Sequence, residues 1–499
     1  MTGQRSVKFN AVMNTILTSS TMLINLVTLP YVTRTLSVEG YGNVNFAQSL
    51  STWLSTLCLV GVPTYAVREC ARVRDDPRAL AKIVKEMLII ISFFTIFILG
   101  IFAICIFLVP RLVALAPLMW LFLVSTLLLS YGVEWYFQAV EQYEYITIRS
   151  VTFKFLSLIA VLLFVHHPND WLIYGAILAL VTSGNNVFNF IRLLHDVPVW
   201  NSTDMNLHRH VKPLFSYAVM SISSSVYLFF DTVLLGMLNS NNVQVALYQL
   251  AAKLKGLCWS IVNAVIGVLI PRLSYYAKKD IVKYNNLLKR GFGFLINMCI
   301  GATAYLFIFA SPLVVLISSS KYISATIPVQ IIGFVNFFSC MSYFIGLCVL
   351  SPLGRENAFA YANLVGVPIS LLLNLILDNR FGAVGAAVSI LVAEMGIFLK
   401  QVSSSYDILK NVIVRSTVVK TVVSHLFAFL ISVTACVIEK NIGIDFLSMK
   451  GAFFTIFVGF ILYSFSWLLL AIILREDSAV YIIQFLKNKV LKIEYYRRF

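Results

Sequence analysis

Residues 87–109 read MLIIISFFTIFILGIFAICIFLV, a run of 23 positions without a charged side chain. A helix needs about 20 predominantly apolar residues to cross the hydrocarbon core of a membrane. Apolar stretches of similar length recur along the whole chain, so the sequence predicts an all-α polytopic membrane protein with about 14 transmembrane helices. The other stretches lie near 11–33, 43–64, 113–133, 151–168, 171–193, 213–237, 244–270, 291–317, 326–350, 359–377, 383–399, 418–438 and 451–473.

The composition supports a membrane protein and argues against a soluble one. Hydrophobic residues make up 59% of the 499 positions and charged residues 12%, whereas soluble domains contain about 25% charged residues. The mean hydropathy is +0.86. A soluble enzyme and a nucleic-acid-binding domain are therefore excluded as first interpretations. The net charge of +16 indicates anionic membrane lipids as partners and no nucleic acid.

Cysteine and histidine residues give no sign of a metal site. The eight cysteines are scattered, mostly within apolar stretches, and no CxxC pair or His/Cys cluster occurs. A disulfide framework or a structural zinc site is therefore not expected, and neither is a cofactor.

The distribution of lysine and arginine predicts the orientation of the chain. With the N-terminus placed in the cytoplasm, the inside segments contain 30 basic residues and the outside segments 6. Cytoplasmic loops retain positive charge in membrane proteins. Both termini are therefore predicted to be cytoplasmic. This count assigns Lys154 to an inside segment and treats the basic stretches 68–85 and 278–290 as topology determinants that anionic headgroups hold. The secondary interpretation of these stretches is that they grip a diphosphate arriving from the cytoplasm.

The arrangement of the predicted helices suggests an internal duplication. Six helices in residues 1–194 precede a polar linker, 195–212, and six more follow in 213–400. Because six is even, the two halves would share one orientation and be related by a pseudo-two-fold axis along the membrane normal. Residues 401–499 would add two helices and a basic tail outside the repeat.

Polar side chains recur at three- and four-residue steps on the first, second, seventh and eighth predicted helices, which places them on one face of each helix. Such residues either join helices through hydrogen bonds or line a water-filled cavity. Their symmetric placement in the two halves favours a shared cavity, whereas helices 87–109 and 451–473 are expected to face lipid. These polar faces consist of Asn14, Thr18, Thr21, Asn25 and Thr28; Asn45, Gln48, Thr52 and Ser55; Ser216, Met220, Ser224, Tyr227 and Asp231; and Gln249, Lys253, Gly256, Ser260, Asn263 and Gly267.

Charged residues within the predicted spans add to the hypothesis of a shared cavity. A charged side chain is costly inside a membrane, and it is usually paired or lines the path of a substrate or ion. Lys253 lies on the polar face of its helix, while Lys255 points roughly the opposite way. We therefore expect Lys253 to be a cation of the cavity. Asp231 is a candidate partner for it in a salt bridge, and Arg34 either closes the cavity on the outside or anchors its helix.

Two further ionisable residues have simpler interpretations. Glu394 lies late in its predicted helix, where extension of the side chain to the cytoplasmic interface is the expected arrangement. His425 stands alone in the thirteenth predicted helix, and a lone buried histidine is more often structural than functional.

The sequence contains no motif of an enzyme. It has no GxxxxGK[ST] phosphate-binding loop, HExxH pair or GxSxG elbow. The predicted outside connections are short, the longest being about a dozen residues near 439–450, which leaves no room for a catalytic outer domain. These features predict a membrane transporter driven by an ion gradient or by the gradient of its substrate.

Six short segments of the chain carry distinctive motifs: RTLSVEGYG (34–42), GVPTYAVRE (61–69), EWYFQAVE (134–141), Asp231 before LLG (234–236), PLGRE (352–356) and FGAVGAA (381–387). These motifs resemble those of one transporter family, the polysaccharide flippases (O-antigen and teichoic-acid type) of the MOP superfamily, which are relatives of the MATE exporters and the lipid II flippases. The resemblance extends from about residue 10 to 400. Ser37 and Ala139 stand where the family often has glycine.

This resemblance implies translocation of an undecaprenyl-diphosphate-linked oligosaccharide by alternating access, for the synthesis of surface polysaccharide. Lys253 and Arg34 would attract the diphosphate. Asn25, Asn45 and Gln249 would hydrogen-bond sugar hydroxyls, with Tyr227 as a further cavity residue. Polysaccharide polymerases and glycosyltransferases of the same pathway are the expected partners.

Three residues of these motifs are candidates for a cytoplasmic gate, namely Glu134, Gln138 and Arg68. For Glu134 and Gln138 the alternative is an amphipathic turn at the membrane interface, where the aromatic residues 135–137 are expected to lie.

Asp231 is also a candidate site for a coupling ion, H⁺ or Na⁺. A MATE-like exporter of small molecules and a lipid II flippase are the alternative functions.

Overall fold

The computed structural model describes residues 7–199, 205–225, 229–476 and 479–480, and within these ranges the chain contains helices and no β-strand. Several helices begin at a side chain that accepts a hydrogen bond from a free backbone N–H. Ser37, Asp76, Asp280 and Ser448 accept from Gly40, from Arg78 and Ala79, from Lys283 and from Gly451 respectively.

The chain divides into two compact units, 1–246 and 247–499. In the first unit, α2 packs against α4, α6 and α11, and α1 packs against α8. A π-helical segment, Ile177–Thr182, joins α9 to α10. The helices are α1 (Val7–Thr35), α2 (Val38–Leu59), α3 (Val62–Arg72), α4 (Pro77–Leu108), α5 (Pro110–Val113), α6 (Ala116–Ser130), α7 (Glu134–Ala139), α8 (Tyr143–Phe164), α9 (Trp171–Ala176), α10 (Ser183–Asp196), α11 (His208–Ser225) and α12 (Asp231–Leu238).

The next helix, α13 (Val243–Lys279), contains the boundary between the units. In the second unit, α16 packs against α14 and α18, and α18 also packs along α17. A π-helical segment, Ile345–Leu350, extends α16. The helices are α14 (Ile281–Ile308), α15 (Ala310–Ile317), α16 (Thr326–Phe344), α17 (Glu356–Phe381), α18 (Ala383–Ser404), α19 (Tyr406–Val412), α20 (Arg415–Asn441) and α21 (Met449–Ile473).

The structure confirms the predicted all-α, multi-pass architecture. Twelve helical stretches of the described chain are long and apolar enough to cross a membrane, and the bent pair α2–α3 makes thirteen. The remaining predicted span, 213–237, coincides with α11, α12 and the residues between them, of which 226–228 lie outside the described part. The count of fourteen and the pseudo-two-fold symmetry stay predictions.

The spatial division does not follow the predicted linker. The predicted second half begins at residue 213, whereas the compact units divide at Ala246 and Leu247. The reason is that α11 packs against α2 and α3, and α12 packs against α2. The duplication itself stays a prediction about the sequence.

Contacts in the first unit join residues that the charge bias assigns to the same side of the membrane. On the predicted outer side, the Tyr31 hydroxyl donates to the Val165 carbonyl at 2.7 Å, and Arg111 donates to the Gly236 and Ser240 carbonyls at 3.0 and 2.8 Å. Arg111 therefore satisfies free carbonyls at the end of α12. On the predicted inner side, Arg74 pairs with Glu141 at 2.7 Å.

The break between α2 and α3 brings the backbone of α11 close. Val60 and Gly61 have φ of +46° and +74°, and α2 and α3 meet at a bend of 43°. A Cβ placed on Gly61 would lie 2.5 Å from the Tyr217 carbonyl carbon and 2.6 Å from the Ala218 nitrogen. Glycine therefore allows both the left-handed turn and the close approach of α11.

The aromatic residues of α7 are buried within the first unit. Trp135, Tyr136 and Phe137 are 3, 5 and 0% exposed, and their position at the membrane interface stays a prediction. They belong to a core cluster formed with α3, α4 and α11, because α7 folds back against α3. The last two spanning helices, α20 and α21, pack on α14 and α15.

We predict that Gly61→Ala destabilises the protein by about 2 kcal/mol or more, because it adds backbone strain and a clash with α11. The free energy of unfolding of the purified protein measures this effect. Gly100→Ala in α4 is the matched control, since its Cβ would meet nothing within 4 Å, and it is expected to change stability by less than about 1 kcal/mol. Equal effects of the two substitutions would contradict the proposed close approach.

Candidate functional site

Two kinds of exposed helix surface occur in the structure. The exposed side chains of α4 include Phe93, Phe97 and Phe107, and those of α21 include Phe453 and Phe457. Surfaces of this kind suit the hydrocarbon of a membrane, as predicted for these two helices. By contrast, α1 and α13 also expose polar residues in the middle of long apolar segments, and those polar faces require water or a polar ligand.

On α1 the predicted polar face is exposed along most of its length. Thr18, Thr21 and Asn25 are exposed, and Thr28 is half-buried. The Thr18 and Thr21 hydroxyls each donate to a carbonyl of their own helix. Since a threonine hydroxyl has a single proton to donate, these two groups do not donate hydrogen bonds to a neighbouring helix.

A lysine of α8 contacts this face. Lys154 donates to the Thr21 hydroxyl oxygen at 2.5 Å and approaches the Leu17 carbonyl at 3.5 Å. Lys154 lies halfway along α8, which begins at Tyr143 and not at the predicted residue 151. Its assignment to an inside segment stays a prediction.

On α13 the polar and buried faces are separate. Leu250, Leu254 and Val262 are buried, whereas Gln249 and Lys253 are half-buried and Asn263 is exposed. A Cβ placed on Gly256 or Gly267 would meet no other atom of the described chain within 4 Å. The polar face of α13 is therefore not packed against a helix of the described chain at these two glycines.

Lys255 has a different environment from Lys253. Its ammonium lies 3.4 Å from a carboxylate oxygen of Glu394, and the Ser339 hydroxyl also donates to that carboxylate. Glu394 is only 4% exposed and lies in the middle of α18. The expectation that Glu394 extends to the interface is therefore wrong: it neutralises Lys255 inside the second unit.

The other predicted cavity residues are placed as follows. Arg34 is half-buried in the last turn of α1. Asn45 is 4% exposed, and its amide donates to the Tyr41 carbonyl at 2.7 Å. Asp231 is 3% exposed at the start of α12, and its pairing with Lys253 stays a prediction. Tyr227 lies outside the described residues.

The predicted gate residues lie in α3 and α7 of the first unit. Glu134 pairs with Arg149 at 2.5 Å, and the Arg149 side chain is 6% exposed. Gln138 is half-buried in α7. Arg68 donates to the Tyr217 hydroxyl at 3.1 Å and to Glu69 at 3.1 Å, so it joins α3 to α11.

A buried ionic cluster near Arg68 was not predicted. Glu86 of α4 is 0% exposed and accepts from the Asn206 backbone N–H at 2.7 Å, from Arg209 at 2.5 Å and from the His210 ring at 2.9 Å. The other ring nitrogen of His210 lies 2.7 Å from the Tyr65 hydroxyl. We call these five residues the Glu86 cluster. It fixes the start of α11 to α3 and α4.

The sequence offered one signal for this cluster. Glu86 immediately precedes the uncharged run 87–109, and the polar linker 195–212 carries the basic residues that reach it. The contacts join positions 120 and 123 apart, and periodicity within a helix carries no information about such a pairing.

His425 is also fixed by hydrogen bonds rather than placed on a polar face. Its ring nitrogens lie 2.9 Å from the Tyr463 hydroxyl and 3.0 Å from the Asn297 amide oxygen. Its ring stacks on Trp467 at 5.7 Å. This arrangement joins α20, α21 and α14. Among the described residues, no group of three His, Cys, Asp or Glu side chains is placed to bind a metal ion.

Comparison with known proteins identifies relatives of this chain. The profile of a family described as "Polysaccharide biosynthesis protein" matches residues 7–277. A protein of Escherichia coli (strain K12) is 25% identical over 407 residues, covering 79% of this chain and 95% of its own length. A protein of Shigella dysenteriae is 25% identical over 386 residues, covering 76% and 94%. Both are named "Putative O-antigen transporter".

Solved structures of two kinds share the fold. The lipid II flippase MurJ in an inward closed conformation has a TM-score of 0.57 and 12% identity, covering 92% of this chain and 99% of MurJ. An inward-facing multidrug resistance MATE family transporter of the MOP superfamily also has a TM-score of 0.57 and 12% identity, covering 78% of this chain and 99% of the transporter. At 12% sequence identity, these similarities show a shared fold and nothing further about this chain.

We predict that Glu86→Ala lowers the free energy of unfolding by about 3 kcal/mol, because it leaves His210 and Arg209 without their carboxylate partner. Thermal unfolding of the purified protein in detergent measures the change. Glu69→Ala is the matched control on α3: its partners Arg68 and Arg72 are exposed, so its expected cost is about 0–1 kcal/mol. A stability loss for Glu86→Ala no larger than the control would show that the cluster does not hold α11.

Proposed function

The chain belongs to the family described as polysaccharide biosynthesis protein, and on this premise we propose that it is a flippase for a lipid-linked oligosaccharide. The cargo class is an undecaprenyl-diphosphate-linked oligosaccharide, which moves from the cytoplasmic to the outer leaflet of a bacterial inner membrane. The family match and the two relatives named as O-antigen transporters support this assignment. The protein is a multi-pass membrane transporter with a MOP-type fold.

The observation that carries the proposal is the exposure of polar helix faces with lysines beside them. Thr18, Thr21 and Asn25 are exposed on α1, and Lys154 contacts Thr21. Gln249 and Lys253 are half-buried on the polar face of α13, on which Asn263 is exposed. A sugar-diphosphate headgroup is large, hydrophilic and anionic. Its passage therefore requires hydrogen-bonding groups and cations at membrane depth.

The structure changes the set of residues that we assign to this headgroup. Lys253, Lys154 and Arg34 would attract the diphosphate, and Asn25 and Gln249 would hydrogen-bond sugar hydroxyls. We leave Asn45 out of the set, because its side chain is buried and its amide donates to the Tyr41 carbonyl. Lys255 is left out because Glu394 neutralises it.

The transport mechanism that we propose is alternating access. The prenyl tail would stay in the lipid at an opening between helices while the headgroup crosses along the polar faces. Both chain termini would be cytoplasmic, in accordance with the bias of basic residues. Asp231, buried at the start of α12, is the candidate site for a coupling ion, H⁺ or Na⁺. Polymerases and glycosyltransferases of the same pathway are the proposed partners.

The two alternative functions share the fold and differ in cargo. A MATE-like exporter of cationic drugs requires acidic residues on the exposed polar faces, whereas Lys154 and Lys253 accompany those faces here. A lipid II flippase is separable by physiology, because its depletion stops peptidoglycan synthesis. Drug susceptibility and peptidoglycan synthesis of the depleted strain therefore distinguish these functions from ours.

The decisive experiment measures on which side of the membrane a lipid-linked saccharide is exposed. Cells lacking the protein are compared with complemented cells, using a probe of the glycan that is restricted to the periplasm. Loss of the protein is expected to trap the glycan on the cytoplasmic side, and wild-type protein is expected to restore its exposure. Unchanged sidedness together with altered drug efflux would reject the lipid-linked cargo.

We predict that Lys253→Gln lowers the rate of glycan exposure by about tenfold or more at equal protein level, which corresponds to the loss of one charge-assisted hydrogen bond. Lys154→Gln is expected to act in the same direction. The matched control on the other face of α13 is the double variant K255Q/E394Q, which replaces both partners of an ion pair and should retain transport. Normal transport by Lys253→Gln would refute the role of this lysine.

A further inference from the structure

A basic cavity lies where α13 ends and α14 begins. It has a volume of about 640 Å³ and is open to the surface. This size is within the range of ligand-binding clefts. The site is separate from the polar face of α13, because it begins at Pro271, four residues beyond Gly267. We call it the α13–α14 cavity; its lining residues are Pro271, Arg272, Tyr275, Tyr276, Lys283, Asn286, Leu287 and Arg290.

The charge around this cavity is strongly positive. Residues 271–290 contain six basic side chains and one acid, Asp280. Asp280 already pairs with Lys283 at 3.1 Å, and the Lys283 backbone N–H and side chain hold the pKa of its carboxyl below the usual value. No ion pair within the described ranges involves Arg272 or Arg290. Two guanidinium groups therefore remain available to an anion.

The residues one helical turn from these arginines are apolar and exposed. Val268 precedes Arg272 by four residues and is 65% exposed, and Phe294 follows Arg290 by four residues and is 42% exposed. Residues four apart lie on the same side of a helix. Each arginine thus has an exposed apolar side chain next to it on the membrane side, while Lys278 and Lys279 lie beyond it. Tyr275 and Tyr276 line the cavity at this boundary, where tyrosine is enriched in membrane proteins.

The base of the cavity is rigid. Tyr276 and Leu287 pack against the buried core of the second unit, which includes Leu273, Tyr284 and Leu288. The buried Tyr284 hydroxyl donates to the Cys348 carbonyl at 3.1 Å. The cationic groups therefore stand on two well-packed helices and not on a free loop.

We propose that the α13–α14 cavity binds the phosphate headgroup of an anionic membrane phospholipid. The guanidinium groups of Arg272 and Arg290 donate paired hydrogen bonds to phosphate oxygens, and Lys283 adds positive charge. The Asn286 amide and the tyrosine hydroxyls donate to the remaining headgroup oxygens. The acyl chains lie along the apolar surface that includes Val268 and Phe294. Such a resident lipid differs from the transported cargo, so its binding does not depend on the proposed flippase function.

The test is a lipid titration of the purified full-length protein, followed by native mass spectrometry. Phosphatidylglycerol is the anionic probe, phosphatidylethanolamine with the same acyl chains is the zwitterionic comparison, and inorganic phosphate is the soluble competitor. R272Q/R290Q removes the two proposed ligands. K278Q/K289Q is its matched control, because it removes two basic residues from the same helices that do not line the cavity.

Wild-type protein is expected to retain phosphatidylglycerol in preference to phosphatidylethanolamine. R272Q/R290Q should weaken phosphatidylglycerol binding by about tenfold or more, and K278Q/K289Q by less than about twofold. Equal losses in the two variants would mean general surface charge and would overturn the proposal. Displacement of the lipid by an equal concentration of inorganic phosphate would also overturn it, because the site would then be one for a soluble anion. Far-ultraviolet circular dichroism and thermal unfolding show whether each variant is folded.

Discussion

A charged side chain within a membrane-spanning helix needs a partner or water, because an isolated charge in hydrocarbon costs several kcal/mol. This constraint explains the placement of the ionisable groups in both units. Lys255 has Glu394, Arg149 has Glu134, and Glu86 has Arg209 and His210. These groups are paired within one unit. Thr21 and Asn25 on α1 and Asn263 on α13 are exposed on long apolar helices, where water or a substrate would hydrogen-bond them.

The hydrogen bonds of the polar faces help to separate two uses of small polar residues. If the faces served mainly to join helices, their hydroxyls would donate to neighbouring helices, as the Thr303 hydroxyl of α14 donates to the Gly333 carbonyl of α16. On α1 and α2, however, the hydroxyls of Thr18, Thr21 and Thr52 donate to carbonyls of their own helices. Their oxygens still have acceptor capacity. The exposed face of α1 is therefore able to hydrogen-bond with water or with sugar hydroxyls.

Much of the fold was predictable from the sequence, because hydrophobic length and charge bias are local properties. They gave the helical class and nearly all of the spans. Contacts between distant positions were not predictable: the burial of Trp135 against α3 and α4, the Lys255–Glu394 pair and the position of Lys154 depend on which helices become neighbours. The directions of their side chains separated Lys253 from Lys255, since two residues along a helix are about 200° apart, and the role of Lys253 stays a prediction. The partner of Lys255 required the three-dimensional structure.

The position of α11 limits how the protein can move. The predicted duplication assigns α11 to the second half, yet the Glu86 cluster and the close approach at Gly61 hold it against α2, α3 and α4. A transport cycle that separates the halves at residues 195–212 has to break the hydrogen bonds of Glu86 and the packing of α11 at Gly61 each time. A cycle that moves at the boundary between Ala246 and Leu247 leaves the cluster intact. We therefore expect α11 and α12 to move together with the six predicted spans of residues 1–194, unless substrate binding compensates for the loss of the Glu86 cluster.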